Sequence, residues 1–387
     1  MPALPPINRL ASSLKAGLPP HLAARLAQSS GMHTSAIQRL VALWLQGHLD
    51  AERDALVATR RVGFVGVVAP GNLFIATWQL IVEVLSLGGR VRVRASSRDR
   101  AAIDVLHELM LAIDTNWANS IEICQFSRDD DAAWGRFAEG LDAMVAQGSD
   151  ETMEALQSRF ARLRPGMPTR RHGHRLSWMW IDEVDPPEAI AANAAAMAHD
   201  TLLADGRGCM APRAALIAGG LETLEPIVEV LLTALTQAAE RLPPGQLPEG
   251  ITAQHRAWVE QARFDAALDG RPFHATLDHG FGLVVIGGPP PDTLPLRDLG
   301  PGGRLLVVRP APASQVGLSS VLAYTSTIGL CATRPTPESG RLRMIFRDAG
   351  VGRVCAVGRM QAPPWSVTSD GDPLGDQIST KRGDVTV

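Results

Sequence analysis

One of the four cysteines in this 387-residue chain sits where a nucleophile is useful. Cys209 lies in Gly206-Arg207-Gly208-Cys209-Met210-Ala211-Pro212, a glycine-flanked turn between a helical and a strand-like pattern. Glycines let the backbone approach a ligand closely. A thiolate held there can accept an acyl group as a thioester or form a thiohemiacetal, dividing a hard transfer into two easier steps. The competing reading is a buried, inert thiol. Cys124, Cys331 and Cys355 lie in apolar strand-like runs and read as core residues, and no pair has CxxC or disulfide-scaffold spacing.

Three turns offer partners for that chemistry. Pro70-Gly71-Asn72 joins an apolar strand pattern to a helix, a place where open α/β sheets bind ligands. The Asn72 amide can donate to a developing oxyanion, or act only as a helix cap. Gly148-Ser149 also opens a helix after a strand; its N–H groups and the Ser149 hydroxyl suit a pyrophosphate, and equally an ordinary N-cap. Arg94, Ser96 and Ser97 close another strand. A guanidinium with two hydroxyls suits a phosphomonoester such as the 2′-phosphate of NADP, against the plainer reading of a solvated strand end. His172 with His174, and His274 with His279, lack cysteine or carboxylate companions at ligand spacing, so no metal site is expected.

Composition excludes several function classes. With 37 basic and 40 acidic residues the formal net charge is −3, which leaves no electrostatic footprint for nucleic acid. The only lysines, Lys15 and Lys381, lie near the termini, so neither a Walker A lysine nor a Schiff-base lysine fits the body of the fold. GxGxxG, HExxH and GxSxG are absent. The most membrane-like stretch, 64–87, is broken by Pro70, Gly71 and Asn72 and carries Gln79 and Glu83. A spanning helix needs roughly 20 uninterrupted apolar residues. With no signal-like N-terminus, the expectation is a cytoplasmic protein without a membrane span.

The elements that must position these residues alternate. Residues 1–60 carry helical periodicity; from 61 onward strand and helix patterns follow one another, with strands expected at Val62–Val68, Arg90–Arg94, Ile121–Cys124, Leu141–Ala146 and Leu176–Ile181. A second set runs through Ala214–Ile217, Leu283–Ile286, Leu305–Val308 and Val354–Val357, with a helix through Tyr324. Such alternation implies mostly parallel sheets covered on both faces. The expected organisation is an N-terminal helical segment (1–60), a cofactor domain (61–180), a catalytic domain with the thiol (181–350) and a C-terminal segment (351–387).

The order of these motifs carries a resemblance. Gly66-Val67-Val68-Ala69-Pro70-Gly71-Asn72-Leu73-Phe74 resembles the Pro-x-Asn-Phe turn of the aldehyde dehydrogenase superfamily. Arg94-Ala95-Ser96-Ser97 falls at its Lys-Pro-Ser strand end, Gly148-Ser149 at its Gly-Ser helix start, and Gly206-Arg207-Gly208-Cys209 at its Gly-Gln-x-Cys loop. Ser96-Ser97-Arg98-Asp99, Gly148-Ser149-Asp150-Glu151, Gly173-His174-Arg175-Leu176-Ser177 and Gly358-Arg359-Met360-Gln361-Ala362-Pro363-Pro364, with Asp370-Gly371, resemble the LuxC-type acyl-CoA reductases, the fatty-acid reductase branch. The likeness spans about residues 60 to 371.

The resemblance implies an aldehyde dehydrogenase-like α/β fold: two doubly wound domains and a C-terminal segment returning to the first. It implies NADPH-dependent reduction of an acyl-CoA or acyl-carrier-protein thioester to the aldehyde. Cys209 would be the acylated nucleophile, and Asn72 with the Cys209 N–H the oxyanion hole. Pro70, Gly148 and Ser149 would border the cofactor, with Arg94 and Ser96 near its adenosine ribose or 2′-phosphate. Arg94 stands where relatives carry lysine, and Val367-Thr368-Ser369 where they carry Trp-His-His. Hydrolytic relatives have a water-activating Glu where this chain has Arg171-His172-Gly173-His174-Arg175; His174 could orient the thioester or donate a proton. Alternatives are a CoA-acylating dehydrogenase working in the oxidative direction, or a non-catalytic acyl-carrier or scaffold subunit. An acyl-supplying partner protein and a homo-oligomer are also expected.

Overall fold

The computed structural model describes residues 6–46, 60–71, 73–181, 186–247, 249–278, 280–331, 337–364 and 380–381. Asn72, His279, Val367-Thr368-Ser369 and Asp370-Gly371 lie outside them. The described chain forms two compact units, one reaching to His174 with residues 362–364 and 380–381 added, the other spanning Arg175–Gln361.

The first unit begins with helices α1 (Pro6–Ser13), α2 (Pro20–Ser30) and α3 (Thr34–Gln46), then strands β1 (Arg60–Arg61) and β2 (Phe64–Val68). There follow α4 (Phe74–Ser86), β3 (Arg90–Arg94), α5 (Arg100–Ile113), α6 (Thr115–Asn119) and β4 (Ile121–Cys124). The set closes with α7 (Asp131–Ala138), β5 (Ala143–Gln147), α8 (Asp150–Leu163) and β6 (Thr169–His172). The sheet runs β4-β3-β2-β5-β6, all parallel. Parallel sheets are covered on both faces, which is why β2, Phe-Val-Gly-Val-Val, is apolar at nearly every position. The N-terminal helices add a further layer: α1 and α2 pack on α5 and α3 on α4, where Trp44 and Trp78 meet edge to face at 5.7 Å. β1 pairs antiparallel with β14 (Thr380–Lys381).

The second unit runs β7 (Leu176–Ile181), α9 (Pro186–Leu202), β8 (Pro212–Ile217), α10 (Glu225–Arg241), α11 (Ile251–Leu268), β9 (Phe273–Asp278) and β10 (Phe281–Ile286). β11 (Leu305–Pro310), α12 (Gln315–Leu322), β12 (Thr325–Cys331), α13 (Pro337–Asp348) and β13 (Arg353–Ala356) complete it. Its sheet has the order β13-β12-β7-β8-β11-β10-β9, parallel except for the edge strand β9. Trp178, Leu216, Val284, Val307 and Ile328, from five of its strands, share one buried cluster.

All nine expected strands stand within two residues of their predicted ends; β3, β4 and β7 match at both. Where the sequence predicts a helix through Tyr324, the helix stops at Leu322 and β12 begins at Thr325. β12 is buried at every position, so its mixed Thr-Ser-Thr-Ile-Gly-Leu-Cys sequence shows no period-two alternation. α11 escapes hydrophobic periodicity because His255 holds one of its inward positions alongside Val259 and Ala266. β6, Thr-Arg-Arg-His, turns the polar residues Arg170 and His172 inward and carries no apolar signal at all. No helix among the described residues is long and apolar enough to cross a membrane.

Candidate active site

The expected cofactor residues of the first unit follow the carboxyl ends of three adjacent strands, β3, β2 and β5. Strand order reverses between β2 and β5, the kind of place where parallel sheets open a crevice for a ligand. Pro70 and Gly71 follow β2, Arg94 ends β3 with Ser96 just beyond it, and Gly148 and Ser149 follow β5.

The first two turns are locked together. Gly71 has φ +75°, and a Cβ there would lie 3.0 Å from Ser96 Oγ. Ser96 Oγ donates to Asp99 Oδ2 at 3.0 Å and accepts the Asp99 N–H at 3.2 Å. Burial raises the Asp99 carboxyl above the usual range, against the hydrogen bonds from the Ser96 hydroxyl and the Gly71 N–H that favour its ionised form. Asp99, bonded by both the Ser96 hydroxyl and the Gly71 N–H, is thus the link between the two turns.

Arg94 lies between aromatic rings, its guanidinium 5.2 Å from the Phe126 centroid and 5.1 Å from that of Trp134. Nη2 donates to Phe126 O at 3.1 Å, while the buried Nε has no partner. Burial lowers its pKa, and the like charges of Arg159 and Arg128 lower it further. An orphaned donor amid three guanidiniums fits an anionic group such as a phosphate. At β5, Ser149 caps α8, accepting the Thr152 N–H at 3.3 Å. Its hydroxyl stays exposed at the helix N-terminus, a setting that also suits a phosphate. A nicotinamide dinucleotide therefore fits the residues present. His174 is exposed, and its backbone N–H donates to Asp150 Oδ1 at 2.7 Å.

In the second unit Cys209 is half-buried on the loop between α9 and β8. Its carbonyl accepts the Ser177 hydroxyl at 2.7 Å, and Ser177 Oγ accepts the Thr327 N–H at 3.0 Å, so one buried hydroxyl joins the thiol loop to β7 and β12. Ahead of Cys209, Ala204 (φ 55°, ψ 27°) and Asp205 (φ 54°, ψ 28°) are left-handed, and Gly206 follows with φ +65°. A non-glycine residue in that region costs roughly 1–2 kcal/mol, so surrounding contacts must hold it.

The end of α9 is held from far along the chain. Asp200, 1% exposed, accepts the Gly358 and Met360 N–H groups on Oδ2 at 2.5 and 3.4 Å. Gln361 Nε2 donates to Asp200 O at 2.6 Å and Leu203 O at 3.1 Å. The motif Gly358-Arg359-Met360-Gln361 thus anchors the helix that leads to the Cys209 loop. Sequence reasoning missed Ser177, Asp200 and Asp205 as site-builders.

None of the four cysteines is in a disulfide. Burial pushes the Cys331 thiol far up, with the Asp200 charge adding to it. Burial also raises Cys355, offset in part by Arg353, and Cys124. Limiting iodoacetamide at neutral pH is expected to alkylate Cys209 first and to leave Cys331 unmodified until the protein is denatured, as read by peptide mass mapping. Early labelling of Cys331 would contradict its burial. Among the described residues, no group of three or more His, Cys, Asp or Glu side chains is placed to hold a metal ion.

Solved structures with a similar fold include aldehyde dehydrogenases. Aldehyde dehydrogenase 21 from Physcomitrella patens, in complex with succinate, is similar with a TM-score of 0.70 at 13% identity, over 97% of this chain and 84% of that one. A NAD-dependent benzaldehyde dehydrogenase from Corynebacterium glutamicum gives 0.66 at 12% identity, over 97% and 83%. A succinic semialdehyde dehydrogenase from Streptococcus pyogenes, in complex with NADP+, gives 0.65 at 13%, over 91% and 80%. The class is an aldehyde dehydrogenase-like fold. Comparison with curated proteins returns no match. The model of the acyl-CoA reductase (LuxC) family matches residues 50–371, and the chain belongs to that family. It is an oxidoreductase acting on acyl or aldehyde groups.

Proposed function

We propose that the chain is an NADPH-dependent acyl-thioester reductase working through an acyl group on Cys209. The observation that carries this reading is the thiol itself: among the cysteines it alone lies on a turn held by Ser177 and the left-handed segment, in a chain of the acyl-CoA reductase family. Cys209 Sγ attacks the thioester carbonyl carbon; a new C–S bond forms, the bond to the substrate sulfur breaks, and the CoA or carrier thiol leaves with a proton. Asn72 and the Cys209 N–H stabilise the oxyanion of that step. When bound, NADPH would supply hydride to the acyl carbon; the thiohemiacetal on Cys209 then loses its C–S bond, giving aldehyde and free thiolate. Segment 171–175 offers no carboxylate to activate water, which preserves the thioester for reduction. His174 is assigned to orienting the thioester. Pro70 and Ser96 would border the cofactor, Gly148 and Ser149 would hold its pyrophosphate, and Arg94 its 2′-phosphate. An acyl-carrier or acyl-supplying protein, a cytoplasmic setting and a homo-oligomer accompany this reading.

The test is NADPH oxidation with acyl-CoAs of graded chain length, aromatic acyl groups included. Aldehyde formation is expected, with the forward rate exceeding that of the oxidative direction. NADPH binding without turnover on any acyl thioester would overturn it. Arg94→Ala is expected to lower the NADPH-over-NADH preference in kcat/KM by about tenfold or more, the worth of one charge-assisted contact. A variant with unchanged preference removes Arg94 from the phosphate.

A further inference from the structure

We infer that Asp205 and Arg304 are positioning residues for Cys209, a pair that holds the left-handed Ala204–Asp205–Gly206 segment and through it the thiol loop. The inference rests on the Cys209 reading above. Both side chains are 1% exposed, and Arg304 Nη1 lies 3.2 Å from Asp205 Oδ1. Among the described residues, every other hydrogen bond of the guanidinium is to main chain. Nη1 donates to Leu202 O at 3.1 Å, Nε to Gly280 O at 2.6 Å, and Nη2 to Leu242 O at 2.9 Å. One planar group thus binds the last carbonyl of α9, the carbonyl after α10, and the turn before β10.

Asp205 is held on its other side as well. The Gly245 N–H donates to Oδ1 at 3.3 Å, and Arg207 Nη2 lies 3.4 Å from Oδ2. Arg207 Nη2 also donates to Gln246 O at 2.8 Å. Gly206 packs so closely that a Cβ on it would lie 2.7 Å from the Arg304 backbone nitrogen. Arg304 is itself left-handed, with φ +72°. Two left-handed segments are therefore pressed together beside the strands β8 and β11, and the ion pair ties them. Three residues separate Asp205 from Cys209, so release of the pair moves the sulfur without touching it. Arg is required because the contacts need a planar fork, and Asp because its charge faces the guanidiniums of both Arg304 and Arg207.

The test uses the full chain as Arg304→Met and Asp205→Asn. Three readings are taken: steady-state reduction of an acyl-CoA, the rate of Cys209 alkylation by iodoacetamide, and NADPH binding with thermal unfolding as controls. Expected is a kcat lowered about 100-fold, the effect of roughly 1 Å of misplacement. KM for NADPH stays within about twofold of the parent, and the alkylation rate changes at least about threefold. Arg304→Lys restores part of kcat, since an ammonium still reaches Asp205 but not all three carbonyls. If Arg304→Met does not fold, Asp205→Asn carries the test, because it keeps volume and an acceptor oxygen. Folded variants whose kcat and alkylation rate both match the parent overturn the inference. A parent that never takes label from acyl-CoA overturns the Cys209 reading instead, while the alkylation rates still decide the positioning claim.

Discussion

Cys209→Ala is expected to take no covalent label from radioactive acyl-CoA and to reduce NADPH oxidation at least about 10⁴-fold. The size follows from the chemistry. Without the thiol the proposed reaction loses its intermediate, and a nucleophile that acts as part of a unit removes most of the catalysis when deleted. The surroundings give no substitute, since burial raises the pKa values of Cys124, Cys331 and Cys355 and keeps them as thiols. NADPH binding and the unfolding temperature stay near those of the parent, because Cys209 is half-buried and its structural bond is made by a backbone carbonyl. Equal labelling of variant and parent, after mapping of the labelled peptide, would show that acylation occurs elsewhere.

The largest effect on stability is expected from Trp178→Ala. Trp178 is fully buried in β7, with ring centroids 5.9 Å from Trp180 and 5.7 Å from Phe346, both edge to face. Its Nε1 donates to Thr325 Oγ1 at 2.9 Å. Emptying such a site costs about 3–5 kcal/mol, because packed neighbours on central strands close only part of the cavity. Thr325 keeps its own bond to Val321 O, so no donor is stranded there. For a unit of this size the loss amounts to a fall of about 10 °C in Tm. Calorimetry on the full chain measures it; a fall under about 3 °C would mean that the pocket collapses around the deletion. Activity falls as well, since Trp178 follows Ser177, whose hydroxyl holds the Cys209 carbonyl.

The parts legible in the sequence are those whose signal is local. Arg90–Arg94 and Leu176–Ile181 show their ends because apolar residues stop abruptly at turns, and Ser149 announces a cap by standing before a helix pattern. Cys209 is readable for the same reason, from the glycines beside it. The supports of the thiol are not local. Gly358 reaches Asp200 across 158 residues, Thr327 reaches Ser177 across 150, and Arg304 reaches Leu202 across 102. No spacing rule joins residues so far apart. Arg304 also sits among 37 basic residues, nearly all arginine, so its type alone carries little information. Arg94 shows the reverse case: its position at the end of β3 is plain, while its enclosure by Phe126 and Trp134 depends on how the next two elements pack.

The grip of Asp200 on Gly358 and Met360 also bears on the order in which the protein comes into being. A ribosome delivers β7, Cys209 and β8 together, yet β12, the second strand that pairs with β7, and the residues that fasten α9 emerge only some 150 residues after their partners. During that interval the nascent chain carries its thiol without the framework that aims it. Pairings between distant segments form slowly, since a long loop must close before any contact rewards it. The Cys209 loop is thus fixed in place only after residues 327 and 358 have been made.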